Sequence, residues 1–298
     1  MSGAAGFAPT TAGLWRGRLG RRPDLIWLVA AGLLALVICG PWLAPNDPYH
    51  ADILNRLSAP SLAYPLGTDA MGRCVLSRLL FGARLTTMAA VTVVVAAATV
   101  GTLVGLVAGY AGGLLDRMSM RIVEGISVLP ALAVSLVVAG ILGLSLTAVI
   151  IALAAVHWTE YARVVRNVTM VERSKPYVLA AEAIGAPGWR VVFRHLLPNI
   201  FGPLLVLAAY SLSWVILSFA GLSFLGLGVE PGTPEWGRMI AEARAYMRVH
   251  PRLVLAPGLT IMGFVILVHL LADALADRWR VDLITSSHLT SRTKGDYP

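Results

Sequence analysis

Charge is scarce in this chain. Asp, Glu, Lys and Arg make up 13% of its 298 residues, where a soluble domain carries about 25%. With 57% hydrophobic residues and a mean hydropathy of +0.74, the deficit excludes an ordinary soluble domain. Cysteine is scarcer still. Cys39 and Cys74 are the only two, too few for a disulfide framework or a thiolate metal cluster, and both read as packing residues. No Gly-x-x-x-x-Gly-Lys-Ser/Thr loop and no His-Glu-x-x-His occurs, so neither a nucleotide-phosphate cradle nor that zinc signature is present. Acidic residues are fewer than basic ones, 16 against 24. In a soluble protein the excess would suggest nucleic acid. Here the cations fall mostly between apolar runs, as positive-inside topology requires, and no nucleic-acid partner is expected.

What is present is apolar length. A span needs about 20 apolar residues. The first run is 25–44, preceded by Arg16, Arg18, Arg21 and Arg22. It is too long for a signal core and lacks a clear small-x-small exit, so it reads as a retained anchor. A polar, Pro-rich segment follows to Arg84. The stretch 85–115 is uncharged and forms the second span, ended by a turn at Asp116-Arg117. Residues 125–159 carry no formal charge and are too long for one helix. A turn at 140–145 divides them into helices of about 119–141 and 145–165. Further uncharged runs cover 195–229 and 253–272. The expected fold is therefore an all-α polytopic membrane protein with six transmembrane helices.

Charge sets the orientation. Arg163, Arg166, Arg173, Lys175, Arg190 and Arg194 crowd segment 163–195, and the tail carries Arg278, Arg280, Arg292 and Lys294. Both belong in the cytoplasm. The organisation reads as a cytoplasmic segment 1–24, an anchor 25–44, an extracytoplasmic segment 45–84, a core 85–276 containing a cytoplasmic loop 163–198, and a cytoplasmic tail 277–298, polar and disordered from about Thr285. Arg56, Arg73, Arg78 and Arg84 contradict this, being cations on the outer side; the other loops and both termini outvote them.

The loop has a distinctive local pattern. Ala180, Ala181 and Ala183 favour helix and leave a shallow surface that another protein can approach. Gly185 and Ala186-Pro187-Gly188 must end that helix. A second stretch, Trp189 to Leu197, leads to Pro198, which suits the first turn of a following helix. The product is a short helix, a sharp turn and a return.

With Leu179, Ala180, Ala181, Glu182 and Gly185 followed twelve residues later by Leu197-Pro198, this stretch resembles the coupling loop of ATP-binding-cassette importer permeases. Three more motifs extend the resemblance to the second permease subunit of the dipeptide, oligopeptide and nickel importers. They are Gly67-Thr68-Asp69 with Gly72-Arg73, the run Gly221 to Gly228, and Pro234-Glu235-Trp236-Gly237. Three positions depart from the family pattern: Leu179 where Glu is usual, His195 where an aliphatic is usual, and Cys74 where Asp is usual. The resemblance implies the type I importer transmembrane fold in a multi-pass inner-membrane protein. It implies no cofactor on this chain, with ATP and Mg used by a partner ATPase. The implied partners are a homologous second permease, two ABC ATPase subunits or domains, an extracytoplasmic substrate-binding protein and membrane lipid. Ala181 would face the ATPase.

The Gly-rich run 221–228 suits close helix approach or bending. Glu235, Trp236 and Gly237 read either as an interfacial loop anchored by the indole or as a gate or docking surface at the outer mouth. His157 and Glu160, three apart on one helix face, are either a polar cluster at the inner interface or a weak metal candidate. His269 and Asp273 read as a helix-end pair. The competing class is an ion-coupled secondary transporter, which would show ionisable residues mid-span and an inverted repeat; neither is evident. The resemblance leaves the cargo open between nickel, usually carried as a chelate in that family, and short peptides.

Overall fold

The computed structural model describes residues 23–143 and 145–292. The basic N-terminal residues Arg16 to Arg22, and Lys294 in the tail, lie outside them. The described residues form ten α-helices: α1 Pro23–Cys39, α2 Val75–Ala111, α3 Gly113–Ser127, α4 Ala131–Leu142, α5 Leu146–Arg173, α6 Pro176–Ala183, α7 Gly188–Val191, α8 Leu197–Phe224, α9 Trp236–Ala243 and α10 Arg252–Arg292. Four are long and apolar enough to cross a membrane: α2, α5, α8 with its α7 extension, and α10 through Asp277. The pair α3 and α4 supplies a fifth, bent span, and the shorter apolar helix Leu28–Leu43 completes six.

The third span differs from the straight helix expected over 119–141. It breaks between Ser127 and Ala131 with a bend of 89°. Pro130 has no N–H to continue the ladder, and its ring pushes the preceding residue out of the α region. The expected turn at Asp116-Arg117 is also displaced. It lies at Gly112 and Gly113, both at positive φ, and Asp116 sits inside α3. There it receives a bidentate pair from Arg166 of α5, at 2.5 and 2.6 Å. At the other end of the chain, α10 runs through Arg292, where the sequence reading expects a disordered tail from about Thr285. No glycine or proline interrupts the sequence between Gly263 and Gly295.

The core is built on α2 against α5. At 37 residues, α2 is about 55 Å long, well beyond a hydrocarbon core of about 30 Å. Gly101, Gly105 and Gly109 make a small-residue stripe along it. A Cβ on Gly105 would lie 2.5 Å from the Ala162 carbonyl oxygen, and one on Gly101 would lie 2.5 Å from that of Trp158. Only glycine lets the two backbones approach this closely. Close approach does not occur at Gly221 or Gly226, where nothing lies within 4 Å of a built Cβ. Cys74 is buried and Cys39 half-buried, and both are free, in keeping with packing roles.

Between α7 and α8 the chain widens into a π-turn at Val192–Leu196. Pro198 follows. Its ring displaces the carbonyl one turn back and offers no N–H in exchange, which a wider turn accommodates. The axis continues through the turn, so α7 and α8 act as one rod from Gly188 to Phe224.

Candidate functional site

Segment 174–187 forms a knob at the ends of α5 and α8. It is shorter than the loop anticipated over 163–198, because α5 runs helical to Arg173 and the return is helical from Gly188. Its helix α6 begins with Pro176, where a missing N–H costs nothing. It ends in a Schellman motif: the Gly185 N–H donates to the Glu182 carbonyl and the Ala186 N–H to the Ala181 carbonyl, both at 3.0 Å. Gly185 holds φ +81°, the left-handed conformation such a stop requires. The break expected at Gly185 is thus in place.

The knob is held from beneath. Val178 is the one fully buried residue of α6. It joins Leu106, Val165, Val191, Leu196 and Ile200 in an apolar cluster separate from the main core. A polar collar surrounds this cluster. Glu172 accepts from Lys175 Nζ and from the Tyr177 hydroxyl, each at 2.6 Å. Asn199 of α8 donates to the Tyr177 hydroxyl at 3.2 Å. Burial and the Glu172 carboxylate push the Tyr177 hydroxyl up to about 12, so it remains a donor at neutral pH. Arg173 donates to the Tyr110 carbonyl, lies over the Tyr110 ring and reaches Glu182 at 3.7 Å. The knob therefore joins α2, α5 and α8 into one unit. His195, unusual in type at its position, packs its ring against Tyr177 at 5.9 Å.

The outward face carries only part of the set the motif singled out, with additions. Leu179, Ala180, Ala183 and Ile184 are exposed, Ile184 at 86%. Ala181 is half-buried, and Glu182 turns back to Arg173. Trp189 and Phe193 on the return arm are also exposed. Leu197 is half-buried at the base and Pro198 exposed beside it.

At the opposite end of the bundle, two motifs far apart in sequence meet. Asp69 accepts from Arg73 Nε at 2.7 Å and from the buried Arg78 guanidinium. Glu242 of α9 accepts from Arg73 at 2.8 Å and Arg78 at 3.0 Å. Burial pushes the Glu242 carboxyl up, but Arg78, the Gly232 N–H and Arg73 outweigh it and hold the group below its ordinary value. Thr68 accepts from the Ser58 N–H at 2.8 Å and donates to the Asn55 carbonyl. Gly72, at φ +77°, passes so close to Asp52 that a Cβ would lie 1.7 Å from its carbonyl oxygen, and Gly67 turns the chain with φ +76°. These signature residues clamp loop 44–74 onto α9. Two of the four cations that contradicted the charge rule are thereby compensated. Arg73 and Arg78 are neutralised inside the clamp, and Arg56 donates to the Tyr246 hydroxyl at 2.8 Å.

Glu235, Trp236 and Gly237 are all buried. They lie beneath the surface at this end of the bundle, so neither an interfacial anchor nor a gate or docking surface is made by their own exposed side chains. Trp236 donates its indole N–H to the Leu79 carbonyl at 3.0 Å and meets Phe264 edge-on. Glu235 caps α9, accepting from the Gly237 and Arg238 N–H groups at 2.9 and 2.7 Å, while burial raises its carboxyl above the ordinary value. A Cβ on Gly237 would lie 2.2 Å from the Ala220 carbonyl oxygen, so α9 rests directly on α8.

A third feature was not foreseen. A cleft of about 570 Å³ lies between the α3–α4 break, α5 and α8. His157 and Glu160 both line it, but no group of three or more potential metal ligands exists among the described residues. His269 and Asp273 do not pair with each other. His269 Nδ1 lies 2.9 Å from the Ser213 hydroxyl, and Asp273 accepts from the Tyr210 hydroxyl, so both tie α10 to α8.

The described residues thus form a bundle of membrane-length helices with a knob at one end and a clamped loop at the other. Residues 101–281 match the model of the family described as "binding-protein-dependent transport system inner membrane component". The chain belongs to that family, the permease subunits of ATP-driven ABC importers, with the type I importer fold. It is a multi-pass inner-membrane pore component, not an enzyme; the ATPase is a separate partner. Among curated relatives, the nickel transport system permease protein NikC of Escherichia coli is 38% identical over 87% of this chain and 94% of its own length. The dipeptide transport system permease protein DppC of Haemophilus influenzae is 37% identical over 91% and 95%. The glutathione transport system permease protein GsiD of Pectobacterium atrosepticum is 36% identical over 84% and 85%. These matches support the importer over the ion-coupled alternative.

Proposed function

We propose that this chain forms half of a translocation pathway for nickel, as the ion or a chelate, or for short peptides. A homologous permease supplies the other half, two ABC ATPase subunits or domains hydrolyse Mg-ATP, and an extracytoplasmic binding protein delivers the cargo. The nickel, dipeptide and glutathione relatives support this cargo range. Both termini lie in the cytoplasm with loop 45–84 outside. The basic segment 163–195 supports that topology, and the clamp pairs two of the four contrary cations, Arg73 and Arg78, with carboxylates. Cysteines introduced at Asp52 and Lys175 should label from opposite sides; labelling from one side would overturn the topology.

The observation that carries the coupling role is the knob itself: a short helix with an apolar outer face, fastened to three spans by a buried cluster and a polar collar. Force applied to that face moves α5 and α8 together. The outer clamp, with Glu235, Trp236 and Gly237 as its foundation, supports the surface on which a binding protein docks. The test uses Gly185→Asp and Ala181→Arg in the complete importer. Glycine alone holds φ +81° without a penalty of about 1 kcal/mol or more, and Arg at half-buried Ala181 forces the knob off its seat. Both variants should insert normally and lose uptake, while the binding protein still docks. Wild-type uptake at equal expression would refute the coupling role.

A further inference from the structure

The cleft beside the α3–α4 break contains a charge with nothing to answer it. Glu160 is exposed on α5 and makes no hydrogen bond or ion pair among the described residues. His157, one turn earlier on the same face, is 8% exposed, lines the same cleft and likewise has no hydrogen-bond partner there. Glu160 is fourteen residues beyond the start of α5 at Leu146, about 21 Å along the axis. On the proposed topology, with α5 entering the hydrocarbon core near Leu146, that depth falls in the inner half of a core about 30 Å thick. A carboxyl at such a depth is costly unless it faces water or receives a cation.

The surrounding charges leave the carboxyl free. Arg163, one turn further along α5, donates to the Ser127 hydroxyl of α3 at 2.7 Å. Glu124 is exposed and pairs with Arg121 at 3.8 Å. Neither Pro130–Leu132 nor the α8 wall brings a formal charge, and the Tyr210 hydroxyl is turned to Asp273. The rest of the cleft is largely apolar, with Trp214 and Leu217 exposed to it, so the field of one carboxyl is weakly screened.

We infer that Glu160 and His157 form a cation station in the permeation cleft, where the positively charged group of the cargo rests during passage. The chemistry is a carboxylate for the charge and an imidazole nitrogen as a second acceptor. The ammonium terminus of a peptide and a divalent metal ion both satisfy it. The inference rests on the proposed reading that the cleft lies on the translocation path, and the test separates the two.

Ser218, half-buried in the cleft wall, is replaced by Cys in a full-length chain lacking Cys39 and Cys74, assembled with its partners in membrane vesicles. Its reaction rates with trimethylammonium-ethyl and sulfonato-ethyl methanethiosulfonates are compared with those of a free thiol. A cation preference of about tenfold is expected. Glu160→Gln should abolish it and Glu160→Asp should retain it. A ratio unmoved by Glu160→Gln overturns the station. Alanyl-alanine and its N-acetyl form, and Ni2+ alone, are then added as protectants. Protection by the free-amino peptide only assigns the ammonium group, and protection by Ni2+ assigns the metal. No protection by either, at concentrations that saturate uptake, overturns the role in cargo passage. The reagent ratio does not depend on transport. A cation-selective cleft in vesicles that show no ATP-driven uptake would therefore count against the permease reading and leave the station standing.

Discussion

Ile184 gives the coupling account its most exposed test. It ends α6 beside Gly185 and is 86% exposed, so the chain itself gains almost nothing from its side chain. Replacing it with Asp should leave the folded state within about 0.5 kcal/mol of wild type, as for surface substitutions generally. If the outer face of α6 sits in a groove of the ATPase, the side chain is buried there, and full burial of an isoleucine is worth about 1.5–3 kcal/mol. Its loss weakens ATPase binding roughly ten- to 150-fold; desolvating the new carboxylate adds to this. The assay is titration of the purified ATPase onto the solubilised permease pair, with membrane level and melting temperature measured in parallel. Val178→Asp is the contrast. Val178 is fully buried, so that change should lower the melting temperature as well as the affinity. An Ile184→Asp protein that binds ATPase within twofold of wild type and transports normally would refute the assignment of this face.

Three further outcomes follow from packing and charge. Gly105→Leu should drive α2 and α5 apart, since even a Cβ would sit 2.5 Å from the Ala162 carbonyl oxygen; a loss of at least about 1–3 kcal/mol should appear as a lower melting temperature in detergent. Trp236→Ala should cost about 3–5 kcal/mol and loosen the outer platform; ATPase assembly should stay normal while delivery from the binding protein falls, as uptake and pull-down assays together would show. Because the folded-state pKa of Glu242 is lowered, its contribution is present above the ordinary value of 4.5 and lost as pH falls through the lowered one. Proteolysis of loop 44–74 should accordingly be unchanged from pH 7 to about 5 and rise below about 4.5, and Glu242→Gln should remove that step; loosening between pH 7 and 5 would contradict it.

Much of the fold was legible because a membrane makes its demands locally. Apolar length marks each span, and the run from Gly185 to Gly188 marks the end of α6, since few other patterns specify a left-handed stop before a proline. Pro130 could have marked the break in the third span, but an uncharged run conceals a bend that hydropathy cannot register. The spacing of Gly101, Gly105 and Gly109 is a readable signal of close packing, whereas Gly221 and Gly226 of the 221–228 run meet no neighbour. The outer clamp was harder to see. Arg73 and Glu242 stand 169 residues apart, and one sequence gives no hint that they meet. The same cations therefore looked like violations of topology when they are parts of a buried ion cluster. Trp236 misled for a related reason: a Trp in a polar loop resembles an interfacial anchor until α9 is seen to fold inward over α8.

The central claim is that this chain moves cargo only when an ATPase pushes on the knob. The most direct measurement is cargo accumulation in proteoliposomes holding this chain, its permease partner, the ATPase and the binding protein, with either internal ATP or an imposed ion gradient as the sole energy source. The account predicts accumulation with ATP alone, insensitivity to ionophores, and loss in Gly185→Asp. Accumulation driven by the ion gradient without ATP would contradict it.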